Sequence, residues 1–153
     1  MPRATNDVDL NVFVRPEELG AVVGALRALG IPVDAGEAVR RAASDGVFTA
    51  GWGLFRVDLF TPSIEFSWEA ERTRVRESVG DGEAWFLSAE ALCVFKPLFF
   101  RGKDRVDLER LVGVQGSAVD AAYVRRWIVD MVGADDPRVA EWDRICREYG
   151  GRA

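Results

Sequence analysis

The feature that most restricts this chain is a change of hydrophobic period part-way along it. Early on, apolar residues recur at every second position, as on a strand with one wet face; later they recur at three and four, as on a packed helix. In "TNDVDLNVFV" (residues 5–14), Val8, Leu10, Val12 and Val14 fall on one side and Asp7, Asp9, Asn11 and Phe13 on the other. "GVFTAGWGLFRVDLF" (46–60) holds two further β-rich runs around "AGWG", the pattern of a hairpin, with Phe55, Val57 and Leu59 alternating with Arg56, Asp58 and Phe60. Between these runs "PEELGAVVGALRALG" predicts a helix: Pro16 at the first position, Glu17 and Glu18 in the first turn, Gly30 as stop, and Leu19, Val22, Val23, Leu26 and Leu29 on the face that packs against the strands. "DAGEAVRRAAS" starts with an Asp34–Glu37 capping box and predicts a second, short helix.

Residues 65–79 suit a short helix better than a strand, and "EAWFL" (83–87) is a strand candidate. From Ser88 onward the signals are helical. Ser88 caps "AEALCVFK", and Pro97 should end or kink that helix just after Lys96. "KDRVDLERLV" is the next helix; "SAVDAAYVRRWIVDMVG" begins with a Ser117–Asp120 pair and stops at Gly133; the last has Asp136 as cap, Pro137 first and Gly150 as stop. The predicted class is α+β, a small mixed β-sheet followed by a helical C-terminal half, with residues 1–87 as sheet core and 88–153 as the helical part of one domain.

Composition limits function. A net charge of −5 argues against sequence-independent binding along a duplex, and the absence of His removes the commonest general base and zinc ligand. Cys93 and Cys146 match no metal spacing and sit in apolar-periodic segments, as buried thiols of a reducing compartment would. No apolar leader opens the chain, and "ALCVFKPLFF" is too short and too interrupted to span a bilayer, so no membrane partner and a cytoplasmic location are expected.

The two aspartates inside the first strand carry the chemistry. Residues two apart on a strand share a face, with alpha carbons roughly 6–7 Å apart, so Asp7 and Asp9 can converge on one ion. Asp58 lies mid-strand in "RVDLF" and joins them if the two strands adjoin. Three carboxylates on one face repel one another without a cation, and hard oxygen donors suit magnesium that also holds substrate phosphates. The alternative is a solvated strand face with no ligand.

Three blocks resemble a known family. "RATNDVDLNVFV" resembles the R-x-T-x-D-[IV]-D-L signature of the minimal nucleotidyltransferases, "FRVDLF" is similar to their third-acid strand, and "LSAEALCVFKPLFFRGKDRVDLERLV" looks like their distal Lys-ending helix and R-x-K-D-x-x-D-L helix. The order and spacing, over roughly residues 3–113, suit the AbiEii-type nucleotidyltransferase-like proteins of bacterial toxin–antitoxin and abortive-infection systems. The resemblance implies a polymerase-β-like core, a nucleoside triphosphate, Mg2+ or Mn2+, and transfer of a nucleotidyl group to a protein, RNA or small-molecule acceptor, with a toxin or antitoxin protein as partner. It makes Asp7, Asp9 and Asp58 metal ligands, with Asp58 also orienting the attacking group. Lys96 would contact phosphate, with Arg3 and Thr5 of the signature beside the nucleotide. Lys96 can instead offset a helix C-terminal dipole, and Asp104 and Asp107, the distal acid pair, can cap their helix and pair with Lys103, Arg105 or Arg110.

The family also places a helix and a Gly-Gly or Gly-Ser turn ahead of the D-x-D strand, a nest of amides for triphosphate. Here six residues precede Asp7 and none is Gly. The expectation is a late start, a truncation, or a chain without catalysis that acts as an antitoxin-like or nucleotide-sensing module.

Overall fold

The computed structural model describes residues 6–150. The chain divides into two compact units, Met1–Glu69 and Ala70–Ala153. The division falls ahead of residue 87, so the last two strands belong with the helices rather than with the first sheet.

The first unit is a three-stranded mixed sheet with two helices. Strand β1 (Asp7–Asn11) runs parallel to β3 (Phe55–Phe60), and β2 (Val47–Trp52) runs antiparallel to β3, giving the order β1-β3-β2. β2 and β3 are joined through Gly53 and Leu54, with Trp52 opposite Phe55. Gly53 has φ +59°, the left-handed conformation that two-residue hairpin turns require and that glycine adopts without strain. "AGW" is therefore strand, and of the "AGWG" connection only Gly53 is in the turn, with Leu54 after it.

Helix α1 (Leu19–Ala28), entered through a 3-10 turn at Pro16–Glu18, buries Leu19, Val23 and Leu26, spaced at four and three. Helix α2 (Ala35–Asp45) is capped by Asp34, whose carboxylate accepts from the Glu37 N–H, and buries Ala38. These residues pack with Ile31, Phe48, Ala50, Val57 and Leu59 into one core. The predicted helical face holds except at its end, where Leu29 lies past the last turn and is 71% exposed. The strand face also departs from the pattern: Val12 and Val14, beyond β1, pack against the core, whereas Val8 and Leu10 within β1 are exposed. β1 is an edge strand, and the core is built on β2 and β3.

Helix α3 (Phe66–Arg72) leads from the first unit into the second. The helix expected over 65–79 occupies only its first half. Val75–Val79 forms strand β4, which pairs antiparallel with β5 (Gly82–Phe86). The reason is the Gly80–Asp81 turn, with φ +57° at Gly80, which closes a hairpin directly after an alternating Val-Arg-Glu-Ser-Val run.

Four helices complete the second unit: α4 (Ala89–Phe99), α5 (Gly102–Gln115), α6 (Ala121–Val132) and α7 (Pro137–Tyr149). Their apolar positions form its interior, including Val94, Leu108, Val112, Val124, Ile128, Val139, Trp142 and Ile145. The Trp142 indole N–H donates to the Ala121 carbonyl at 3.2 Å, so the largest buried side chain keeps its polar atom satisfied. Two boundary expectations change. α4 continues through Pro97 to Phe99, because a proline this near the end removes a single hydrogen bond and its ring is buried; Phe100, in the left-handed region at φ 48°, ends the helix. α6 is capped by Asp120, which accepts from the Tyr123 N–H, while Ser117 lies in a separate 3-10 turn at Gly116–Ala118.

A lattice of ion pairs ties three of these helices. Arg144 of α7 bonds Glu109 of α5 at 2.7 Å and Glu141 of its own helix at 2.9 Å, and Arg105 of α5 reaches Glu141 at 2.7 Å. Arg125 of α6 meets Asp143 of α7 at 2.9 Å. Among the described residues no helix is long and apolar enough to cross a membrane.

Candidate functional site

Parallel pairing of β1 with β3 sets Asp9 directly beside Asp58 and Asp7 beside Arg56. Residues paired in register point to the same side of a sheet, and neighbouring strands lie about 4.8 Å apart. The polar face, opposite the helices, therefore carries Asp7, Asp9 and Asn11 on the edge strand, Arg56 and Asp58 on the central strand, and Thr49 on the far strand, opposite Asp58. Val57 and Leu59, which alternate with Arg56 and Asp58, are buried on the other face and hold the central strand in this orientation.

Asp58 is tied to two neighbouring side chains. Its Oδ1 accepts from the Thr49 hydroxyl at 2.6 Å and from Arg56 Nε at 2.9 Å. Two donors on one oxygen fix the carboxylate's rotamer and leave Oδ2 without a hydrogen bond among the described residues. Asp9 is exposed and accepts no hydrogen bond among them. The Arg56 guanidinium is held more firmly protonated than usual, first by its hydrogen bond to Asp58 and that residue's charge, with smaller help from Asp7 and Asp9 against a modest cost of burial. Arg56 thus answers to the charge of all three acids.

Sequence reasoning placed the three aspartates on one face and missed two of their partners. Arg56 was legible, since it stands two before Asp58 and must share its face. Thr49 was not, because its place opposite Asp58 depends on the exact turn residues of the β2–β3 hairpin. Arg3 and Thr5 lie outside the described residues.

Lys96, Asp104 and Asp107 belong to the second unit, where they bond to one another's helices. Lys96 Nζ, in the last turn of α4, donates to Asp107 Oδ2 on α5 at 2.9 Å. Asp104, almost wholly buried, accepts from the backbone N–H of Arg101 at 3.2 Å and from its guanidinium at 2.7 Å. Burial alone would raise the Asp104 carboxyl; the Arg101 hydrogen bonds outweigh it and hold the group below the usual carboxylate range. Asp104 caps its helix as that reading required, but the cations are Arg101 and Lys96 in place of Lys103, Arg105 or Arg110. A shallow recess beside this pair is lined by Lys96, Pro97, Phe100, Arg105, Arg138 and Glu141.

Among the described residues no group of three or more acidic or thiol side chains is gathered closely enough to hold a metal unaided. The Asp9–Asp58 pair still fits magnesium in its usual manner, which needs one or two carboxylates and takes its remaining oxygens from water and substrate phosphates. Asp58 has an oxygen to offer, and Asp9 has its whole carboxylate. Both cysteines are free thiols: burial pushes Cys93 up to about 12 and Cys146 up to about 11, which removes them as nucleophiles near neutrality. No family model matches this chain, and no curated protein matches it.

Proposed function

We propose that the chain is a nucleotidyltransferase, magnesium-dependent, moving a nucleotidyl group from a nucleoside triphosphate to an acceptor, in the cytoplasm and in the setting of a toxin–antitoxin pair. The observation that carries this reading is the in-register Asp9–Asp58 pair on adjoining parallel strands, with Asp7 on the same face. Folding a chain with adjacent carboxylates costs stability, and such a cost is characteristic of sites that serve a ligand. Asp9 and Asp58 would hold the ion, which when bound neutralises charge on the phosphates. Asp58, its rotamer set by Thr49 and Arg56, is the better placed to orient an acceptor hydroxyl and take its proton. Arg56 would turn from Asp58 toward phosphate, a bidentate cation suited to that exchange.

A second reading rests on that arginine. Arg56 already supplies the acid face with a counter-ion, so the same face could serve a non-catalytic module that senses nucleotide or binds a partner protein. Calorimetric titration of magnesium and each nucleoside triphosphate into wild type and Asp9→Asn, followed by labelled-nucleotide transfer, separates the two. Metal-dependent binding and transfer, both abolished in Asp9→Asn, support the enzyme; binding without transfer supports the module. Binding identical in the two proteins refutes the site.

A further inference from the structure

We infer that the β4–β5 hairpin is a self-association surface, through which two copies of this chain pair β5 edge to β5 edge into a four-stranded antiparallel sheet. This surface belongs to the second unit and the acidic face to the first, and the inference is independent of the nucleotide reading.

An isolated two-stranded ribbon is marginal in water; it becomes stable when further strands or a packed face are added. This one is exposed along nearly its whole length. Val75, Glu77 and Val79 of β4 share one side with Phe86, Ala84 and Gly82 of β5, and three of these are large apolar residues in contact with water: Val75, Val79 and Phe86, the last 45% exposed. The other side carries Arg76, Ser78, Glu83 and Trp85. Trp85 is 57% exposed, with the guanidinium carbon of Arg74 4.7 Å from its ring centroid and that of Arg76 at 5.8 Å. Arg76 also pairs with Glu83 at 2.7 Å.

The turn decides which backbone groups are available. In a two-residue hairpin the pair flanking the turn, here Val79 with Gly82, exchanges hydrogen bonds, and bonded and non-bonded pairs then alternate. Ala84 therefore bonds to β4, while the N–H and C=O of Glu83 and Trp85 point away from it. Among the described residues no third strand receives them.

The β5 edge is complementary to itself in charge, which no two-fold pairing of the β4 edge matches. A two-fold axis through Ala84 sets Glu83 of one copy opposite Trp85 of the other, so that four outward groups on each copy are satisfied. On the polar side, each Glu83 comes beside a Trp85 ring flanked by two arginines, opposite charge against opposite charge. On the apolar side, small Ala84 meets small Ala84 at the axis, and each Phe86 lies over the other copy's Gly82, the arrangement in which an aromatic ring covers the backbone a glycine leaves bare. On β4, an axis through Glu77 or through Arg76 sets like charges against each other, which repel, and one through Ser78 brings no opposite charges together. The pairing through Ala84 is closed and symmetric.

The test uses the full chain. Sedimentation velocity across a concentration series should show a monomer–dimer equilibrium for wild type, displaced to monomer by Glu83→Lys, which places like charge beside the arginine-flanked ring. Ala84 is a non-hydrogen-bonded pair across the axis, with alpha carbons about 4.5 Å apart, close enough for a disulfide. Ala84→Cys should therefore form a covalent dimer on mild oxidation many times faster than Glu77→Cys or wild type, whose own thiols set the background. A protein that is monomeric throughout the series, or an Ala84→Cys that cross-links no faster than Glu77→Cys, overturns the inference. A dimer indifferent to Glu83→Lys overturns the pairing.

Discussion

Neutralising Asp9 should make the protein more stable without metal and less responsive to it. Asp9 and Asp58 are paired in register on adjoining strands. At about 5 Å two unit negative charges repel by about 0.8 kcal/mol in water and by about 3 kcal/mol at an effective dielectric of about 20. Asp9 is exposed and Arg56 offsets part of the repulsion, so the lower figure governs; Asp9→Asn should gain about 0.5–1 kcal/mol. For a chain of this size that is a rise of roughly 1–4 °C in Tm. Magnesium reverses the order. An ion at ten times its dissociation constant stabilises the protein it binds by about 1.4 kcal/mol, and Asp9→Asn, with one of the two carboxylates gone, should show little of that gain. The assay is thermal melting of both proteins in chelator and across a magnesium series, with and without a nucleoside triphosphate. Two melting curves that cross as magnesium rises are the expected result. If Asp9→Asn melts lower in chelator, the acids are not in conflict; if magnesium shifts both proteins equally, they are not its site. Either result refutes the reasoning.

Leu59, 1% exposed at the centre of the sheet, should cost about 2–5 kcal/mol when cut to alanine, read as a lowered urea midpoint at unchanged slope. Glu141 is held down at about 2, by Arg144 first and Arg105 further, against the opposing effect of burial. A carboxyl with a depressed folded pKa stabilises above its unfolded value, near 4.5, and loses that contribution as pH falls toward 2; Glu141→Gln should flatten the acid limb of stability against pH in that window. Cys93, raised to about 12 by burial, should react with a thiol reagent at neutral pH only as fast as the second unit opens, so stopped-flow labelling with and without denaturant reports local unfolding of α4.

The parts of the fold that the sequence announced are those where local chemistry and packing agree. Asp34 and Asp136 each accept from a backbone N–H at the start of a helix, and Pro137 stands in a first turn that has no hydrogen bond to lose. The helix of residues 19–28 was legible because its apolar spacing matches the face it buries. Legibility failed where a distant partner decides. The run from 65 to 79 reads as helix until the Gly80–Asp81 turn is seen to supply β4 with a strand to pair with. Pro97 reads as a stop until its buried ring and its place near the helix end make one missing hydrogen bond tolerable. Val8 and Leu10 read as core because they alternate, yet alternation says only that one face is apolar, and an element to cover that face must come from elsewhere in the fold.

The candidate site divides along the same line. That Asp7 and Asp9 share a face follows from alternation alone; that Asp58 joins them, and stands beside Asp9 rather than one pair away, follows from the parallel pairing of the two strands. Repulsion argued for a metal so long as the acids had no other counter-charge. Arg56 changes the weight of that argument without reversing it. One guanidinium bonded to Asp58 offsets a single charge, and the Asp9–Asp58 pair remains net acidic beside it. On the proposed function, the face exchanges the arginine it carries for a divalent ion that arrives with phosphate. Under the proposed function, Arg56 moves the balance. Arg56→Gln should bind magnesium more tightly than wild type in the absence of nucleotide, because the ion no longer competes with a side chain for Asp58. With nucleoside triphosphate present the advantage should shrink or invert, because the same arginine then contacts phosphate. Titration calorimetry under both conditions reads the two affinities directly, and an Arg56→Gln whose magnesium affinity equals that of wild type would assign Arg56 to the strand alone.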